Sequence, residues 1–258
     1  MKKHILISAV LLAAFAGLFA SCSKYYGEPT TEHYTIDGSY TKLDVSHAFN
    51  VTVSDAVSDA VVTVPEDLHK KVKVKVKDGT LYIGFTSSWI ATSGECAVVL
   101  PRNAQLKDLD LSGASSFRGD LQGLSSDIEI SGASQFYGSV LAADVDFEIS
   151  GASKADCMVS ADEVDADISG ASNVTLQGAC TGTMDIDVSG ASDLNARLFD
   201  TDVVKGELSG SSDADVTVCS RIAVAVSGSS RLTYGAASSD CHPTFACTMS
   251  GSSTVTPR

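Results

Sequence analysis

Carboxylates recur at regular spacing through the second half of this 258-residue chain. A tetrapeptide, Ser-Gly-(Ala/Ser)-Ser, starts at Ser112, Ser131, Ser150, Ser169, Ser189, Ser209, Ser227 and Ser250. Two residues before its first serine stand Asp110, Glu129, Glu148, Asp167, Asp187 and Glu207; four before it stand Asp108, Asp127, Asp146, Asp165 and Asp185. Stacked side by side, such columns can act as a Ca2+ face, since that ion gathers several carboxylate oxygens. They serve equally as a solvated acidic face that keeps a repetitive sheet soluble and blocks association. Unit charges about 4.8 Å apart repel by roughly 0.9 kcal/mol in a water-like dielectric. Burying three large aliphatic side chains per repeat contributes roughly 5 kcal/mol. A cation is therefore permitted and not required, and the Gly-rich nonapeptide of calcium-dependent β-rolls is missing.

The serines invite a second chemistry, nucleophilic attack, which needs an adjacent base. Of five histidines only His242 lies among the repeats, so a row of serine-histidine sites fails on residue supply. A polysaccharide-cleaving β-helical enzyme is the catalytic alternative. Its site would break the repeat with clustered acids and bases, whereas among Lys107, Arg118, Lys154, Arg197, Lys205, Arg221 and Arg231 only Lys154 and Arg231 share a column, four coils apart. Gln135, Tyr137, Asn173, Asn195 and Arg231 follow the tetrapeptides and could present a flat carbohydrate surface, or merely an exposed strand. Cys219 and Cys241 lie eight and nine residues before the next tetrapeptide, on adjacent repeats, so they are the pair expected within disulfide range. Cys157 and Cys247 fall at inward places. A zinc site from Cys241, His242 and Cys247 is the alternative, without the usual ligand spacing.

The elements that position these residues follow from the period. Successive tetrapeptides begin 19, 19, 19, 20, 20, 18 and 23 residues apart, too short for separate domains and suited to single coils of a solenoid. Segments such as Asp127-Ile-Glu-Ile130 and Asp146-Phe-Glu-Ile149 alternate with period two, the mark of a strand with one buried face. Two inward columns precede the corner. Phe117, Phe136, Ala155, Val174 and Leu194 form a third after it, and Leu121, Val140, Val159, Gly178, Leu198, Val218 and Ala236 a fourth. We expect an all-β fold: a right-handed parallel β-helix of about 20 residues per coil over 106–258. An N-terminal antiparallel hairpin region precedes it over 39–105. There Val72, Val74 and Val76 point inward, the intervening lysines outward, and Asp78-Gly79 makes a type I′ turn. Leu43-Asp-Val-Ser46 imitates Leu109-Asp-Leu-Ser112, so the solenoid is expected to begin near residue 40.

The N-terminus reads as a leader. Lys2 and Lys3, an apolar run from Ile5 to Phe19 and small residues before Cys22 make 1–21 a signal peptide ending in a bacterial lipobox. Cys22 is then the lipidated residue and 22–38 a tether. Ordinary secretion with Cys22 as a structural thiol is the alternative. Net charge is -14, and 106–258 holds 22 acidic against eight basic residues, which argues against nucleic acid as a partner.

The lipobox, Leu-Asp-Val-Ser…Asn-Val-Thr-Val over 43–53, Leu100-Pro-Arg102 and the repeated Leu-Ser-Gly-Ala-Ser together resemble the autotransporter-adhesin head (GIN) domain family. This is a domain of unknown function common in Bacteroidetes lipoproteins. The resemblance covers about residues 39–256 and implies a β-helical body, with no functional residues to carry over. The expectation is a non-enzymatic outer-membrane lipoprotein, held to the membrane by its lipid anchor, whose β-helical face engages glycans or another envelope protein. A purely structural envelope component is a further alternative. No cofactor is expected beyond the Ca2+ that the acidic columns permit.

Overall fold

Each repeat folds as its alternation dictates: a strand, a sharp corner at the tetrapeptide, and a second strand. The computed structural model describes residues 23–25, 27–87, 90–92 and 94–258. Cys22 and the leader expected over 1–21 lie outside the described residues. The chain winds into a β-solenoid of about 8 turns with ~19 residues per turn. Strands before the corner form an entry sheet and strands after it an exit sheet, with the apolar columns between them.

Register is set residue for residue. In the entry sheet Ser125–Ile130 pairs in parallel with Asp144–Ile149, which pairs with Glu163–Ile168, so Ile128, Phe147 and Ala166 stack inward while Glu129, Glu148 and Asp167 stack outward. In the exit sheet Phe117 lies against Phe136, their rings stacked at 6.0 Å, and Phe136 against Ala155. A one-residue slip would turn every carboxylate into the core, so burial enforces the register. The inward residues are wholly removed from water: Leu109, Ile128, Phe147, Ala166 and Ile186 are each 0% exposed.

The corner explains the tetrapeptide. Its glycine adopts φ of 71° to 79° in all eight copies, the left-handed region that a Cβ disfavours. Neighbouring corners also approach backbone to backbone: a Cβ on Gly151 would lie within van der Waals distance of the Gly132 carbonyl oxygen and 3.0 Å from its nitrogen. The fourth residue turns inward. Ser153, Ser172 and Ser212 are buried, and their hydroxyls donate to the carbonyls of Ser150, Ser169 and Ser209 at 2.7, 2.9 and 3.0 Å, closing the turn.

Three of the seven places expected in the fourth inward column depart from the period-two reading. Leu198, expected in the fourth inward column, is 68% exposed, and Phe199 is buried instead. The ladder shifts register between Thr175 and Gln177, setting Gln177 against Leu198 and Gly178 against Phe199. This irregularity lies in the coil after Ser189, one of the two 20-residue spacings, and Phe199 takes the inward place there, 0% exposed. Gly178 and Ala236 are likewise exposed.

The solenoid extends upstream of the repeats, as the imitation at residue 43 suggests. Leu43, Asp44 and Val45 pair with Leu109, Asp110 and Leu111. The coil beyond them comes from later sequence. Thr80–Phe85 lies parallel to Lys42–Val45, and Ala97–Pro101 parallel to Asn50–Ser54. Antiparallel strands then close this end. Val72–Lys77 pairs with Thr80–Phe85 through a turn whose Asp78 and Gly79 have φ of 51° and 77°, and Ala60–Pro65 pairs with Ala97–Pro101. The last of these is Pro29–Tyr34, paired with Ala60–Pro65, so the stretch read as a tether over 22–38 is in part a cap strand. His69 fixes it. Its buried ring bonds through Nδ1 to the Tyr34 hydroxyl at 3.0 Å and through Nε2 to the Thr30 carbonyl at 3.0 Å.

Candidate functional site

The outward side of the entry sheet carries both carboxylate columns. The near column, two residues before the corner, runs Tyr82, Asp44, Asp110, Glu129, Glu148, Asp167, Asp187, Glu207 and Ala225 through successive pairings. The far column holds Asp108, Asp127, Asp146, Asp165 and Asp185 and has Lys42 before it and Lys205 after it. Each terminal lysine binds inward along the ladder: Lys42 Nζ lies 3.2 Å from Glu129 Oε1 and Lys205 Nζ 2.8 Å from Asp185 Oδ2. Lys107 pairs with Asp108 at 2.8 Å. Between these braces Asp127, Asp146, Asp165, Glu148, Asp167 and Asp187 make no ion pair among the described residues.

The electrostatics follow from that lack of compensation. Partial burial first, and then the neighbouring carboxylates, hold Asp110, Asp146, Asp165 and Asp187 above the usual carboxylate range. Asp44 is raised too, chiefly by burial. Burial, the largest single influence, works against the charge of Lys42, but its bond to Glu129 and the attraction of Glu129, Asp127 and Asp110 together outweigh it and raise its pKa. Two open grooves flank the array. One, of 420 Å³, runs between the near column and Ser131, Ser150, Ser169 and Ser189; the other, of 520 Å³, follows Asp127, Asp146, Asp165 and Asp185 to Lys205. Among the described residues no group of three or more His, Cys, Asp or Glu side chains is arranged to hold a metal ion.

The remaining candidates disperse. Cys219 and Cys241 form a disulfide, with Cα atoms 4.6 Å apart, which removes Cys241 from any zinc set with His242 and Cys247. Cys157 is buried, and burial raises its thiol pKa to about 12, whereas Cys247 is only half-buried because it lies in the last coil. On the exit sheet the Arg118 guanidinium sits 4.0 Å over the Tyr137 ring, and the Tyr137 hydroxyl donates to Gln135 Oε1 at 2.8 Å. That ring is therefore no open stacking platform for a sugar.

One feature escaped the sequence reading. At the first corner, Ser46-His47-Ala48-Phe49 stands where later coils have Ser-Gly-Ala-Ser, and His47 and Ala48 adopt φ of 65° and 63°. Ser46 Oγ and His47 Nδ1 are 2.7 Å apart, and a Cβ on Gly84 would crowd both side chains. Aligning residues 46–49 with the tetrapeptide would have exposed histidine in a glycine position. The imidazole packs edge-on against Phe85, and burial lowers its pKa.

A parallel stack with an acid-faced sheet and a capped N-terminal end defines a β-solenoid domain. The chain belongs to the family described as "Putative auto-transporter adhesin, head GIN domain", whose model matches residues 39–237. Solved structures share the fold. A protein named a putative adhesin from Parabacteroides distasonis is 22% identical, with TM-score 0.78 over 91% of this chain and 99% of that one. Another of that name, from Parabacteroides merdae, is 19% identical, with TM-score 0.77 over 93% and 100%. A protein named a putative lipid binding protein, also from Parabacteroides distasonis, is 17% identical, with TM-score 0.74 over 92% and 100%. No curated protein matches the chain.

Proposed function

We propose that this protein is a non-enzymatic adhesin-type module of the cell envelope, held by a lipid on Cys22, whose entry sheet engages glycans or another envelope protein. The family's adhesin-head description and the adhesin names of its structural neighbours support the adhesin-like role. The observation that carries the reading is the uncompensated carboxylate array between Lys42 and Lys205. A regular anionic lattice flanked by hydroxyl-lined grooves suits amine and hydroxyl groups spaced along an extended polymer. Such a surface gains attraction and on-rate from charge and needs no deep pocket. Calcium is an optional bridge in this reading, since the core alone holds the carboxylates together.

Binding of the exported chain to glycan arrays and whole cells, compared with the Glu129→Gln, Glu148→Gln, Asp167→Asn triple variant, tests the proposal. The variant should lose most binding, and wild-type binding should weaken with salt. Equal binding by both proteins would remove the entry sheet from the function. Palmitate labelling that depends on Cys22 tests the anchor separately.

A further inference from the structure

Among the described residues the stack is capped at one end only. In the last coil, residues occupying the core columns are open to water: Phe245 is 49% and Met249 61% exposed, whereas Ile222, Val224 and Val226, one coil earlier, are at most 2% exposed. Charge changes at the same place. The near column ends at Glu207 and continues as Ala225 and Thr248, and the far column passes from Lys205 to Ala223. Between Ser227 and Arg258 the only acidic residue is Asp240, against Arg231 and Arg258. An acid-faced molecule thus presents one apolar, nearly neutral surface, at its open end.

We propose that this end face docks a second copy of the chain, end to end. Two copies approaching through their entry sheets set carboxylate ladders against each other, while the end faces bring together apolar groups without like-charge repulsion. One coil of ~19 residues approaches the 20 to 30 residues a side of a standard interface, by order of magnitude. The edge itself resists simple strand addition. Thr254 and Arg258 turn their N–H groups inward to Ser230 and Tyr234, so the position of Pro257 faces outward and lacks a donor. Contact is therefore made by Phe245, Met249 and neighbouring side chains. The capped opposite end stops assembly at two, as a closed two-fold contact requires. Taken with the lipid-anchor reading, on which this part rests, a cap that holds Pro29–Tyr34 opposite the docking face sets the two N-terminal strands at far ends of a rod of roughly 40 Å per copy, a bridge between two membranes.

Sedimentation equilibrium of the full chain in mild detergent decides the contact. Its mass should double with concentration and return to monomer in Met249→Glu and Phe245→Glu, with unchanged melting temperatures, while Glu148→Gln still dimerises. A monomer at the highest soluble concentration, or a dimer that survives both end-face variants, overturns the proposal. So does a monomer in which amides 244–257 are protected from exchange, since another part of the chain then covers the face. Phosphatidylethanolamine–phosphatidylglycerol vesicles carrying the protein should cluster, and clustering should fail with Met249→Glu. Vesicles that stay dispersed despite a palmitate-labelled Cys22 refute the bridge. Absence of the label refutes the anchor reading alone and leaves the sedimentation result to judge the contact.

Discussion

Gly113→Ala and Gly151→Ala make the same chemical change at equivalent corners, and they should differ in cost. Both glycines have nearly the same φ, 76° and 79°, so the left-handed penalty of about 1–2 kcal/mol is common to the pair. What differs is the neighbouring corner. A Cβ added at Gly113 would find its nearest atom, His47 N, at 3.3 Å, a contact that a slight shift relieves. A Cβ added at Gly151 would press on both the carbonyl oxygen and the nitrogen of Gly132, backbone atoms held by the Ala152 N–H to Gly132 bond at 2.7 Å. Forced overpacking of that kind adds about 1–3 kcal/mol. We therefore expect about 1–2 kcal/mol lost in Gly113→Ala and about 2–5 kcal/mol in Gly151→Ala. Urea unfolding followed by circular dichroism measures both, with slopes compared, because repeat arrays can lose cooperativity. Equal losses, or a larger loss at Gly113, would show that φ alone accounts for the tetrapeptide glycine and that close stacking of corners does not.

Three further outcomes follow from the same structure. Because Asp44, Asp110, Asp146, Asp165 and Asp187 have folded-state pKa values above their ordinary ones, the folded protein binds protons more readily than the unfolded chain. The penalty from these groups is full at neutral pH and shrinks as pH falls through the raised values toward the ordinary one. Melting temperature should thus rise as pH falls toward the raised values, and added salt at pH 7, which screens the carboxylates from one another, should act in the same direction; a steady fall with pH would contradict the assigned shifts. Cys241→Ser opens a disulfide of sequence separation 22 and should cost about 3 kcal/mol on loop-entropy grounds, with faster amide exchange over 244–249 than over 144–149. Gly235→Val would collide with the Arg258 guanidinium, which lies 3.3 Å from Asp215 and bonds the Val216 carbonyl at 3.1 Å. It should loosen 254–257 to proteolysis while leaving the melting of earlier coils nearly unchanged, since each coil touches only its neighbours.

What the sequence disclosed was whatever recurs. The inward columns, the outward carboxylates and the corner glycines repeat often enough that each position is read several times over. Period two then assigns faces without knowledge of the tertiary structure. Leu198 was misread for the same reason: Leu198-Phe199 offers two adjacent apolar residues, and either fits a strand whose register slips by one. Choosing between them requires the pairing, which sets Phe199 against Gly178 and Leu198 against Gln177. Pro29–Tyr34 could not be found locally, since its partners, Ala60–Pro65 and His69, lie some 30 residues away or more. The inversion at the capped end was equally hidden, because Leu81-Tyr-Ile83 and Leu43-Asp-Val45 alternate alike and only pairing shows which lies outermost.

A repeat that makes every coil alike also makes every column uniform, so local function has to be sought where a column changes chemistry. The entry sheet changes twice. At the capped end Asp44 gives way to Tyr82 and Asp108 to Lys42; toward the open end Glu207 gives way to Ala225 and Lys205 to Ala223. If solubility alone governed the acids, the open edge, where association is easiest, is where they should be densest. They are instead absent there and concentrated on mid-stack rungs whose strand edges are already paired. That distribution separates two surfaces by chemistry, an anionic lattice along the side and an apolar face at the tip, which under the two proposals take different partners. A variant with Ala223→Asp and Ala225→Glu would extend the ladder by one rung. Both positions are half-buried, so the fold should survive with a melting temperature lowered by a few degrees. Such a protein should keep its side-face binding while its end-to-end association weakens. Loss of side-face binding with association intact would invert the assignment.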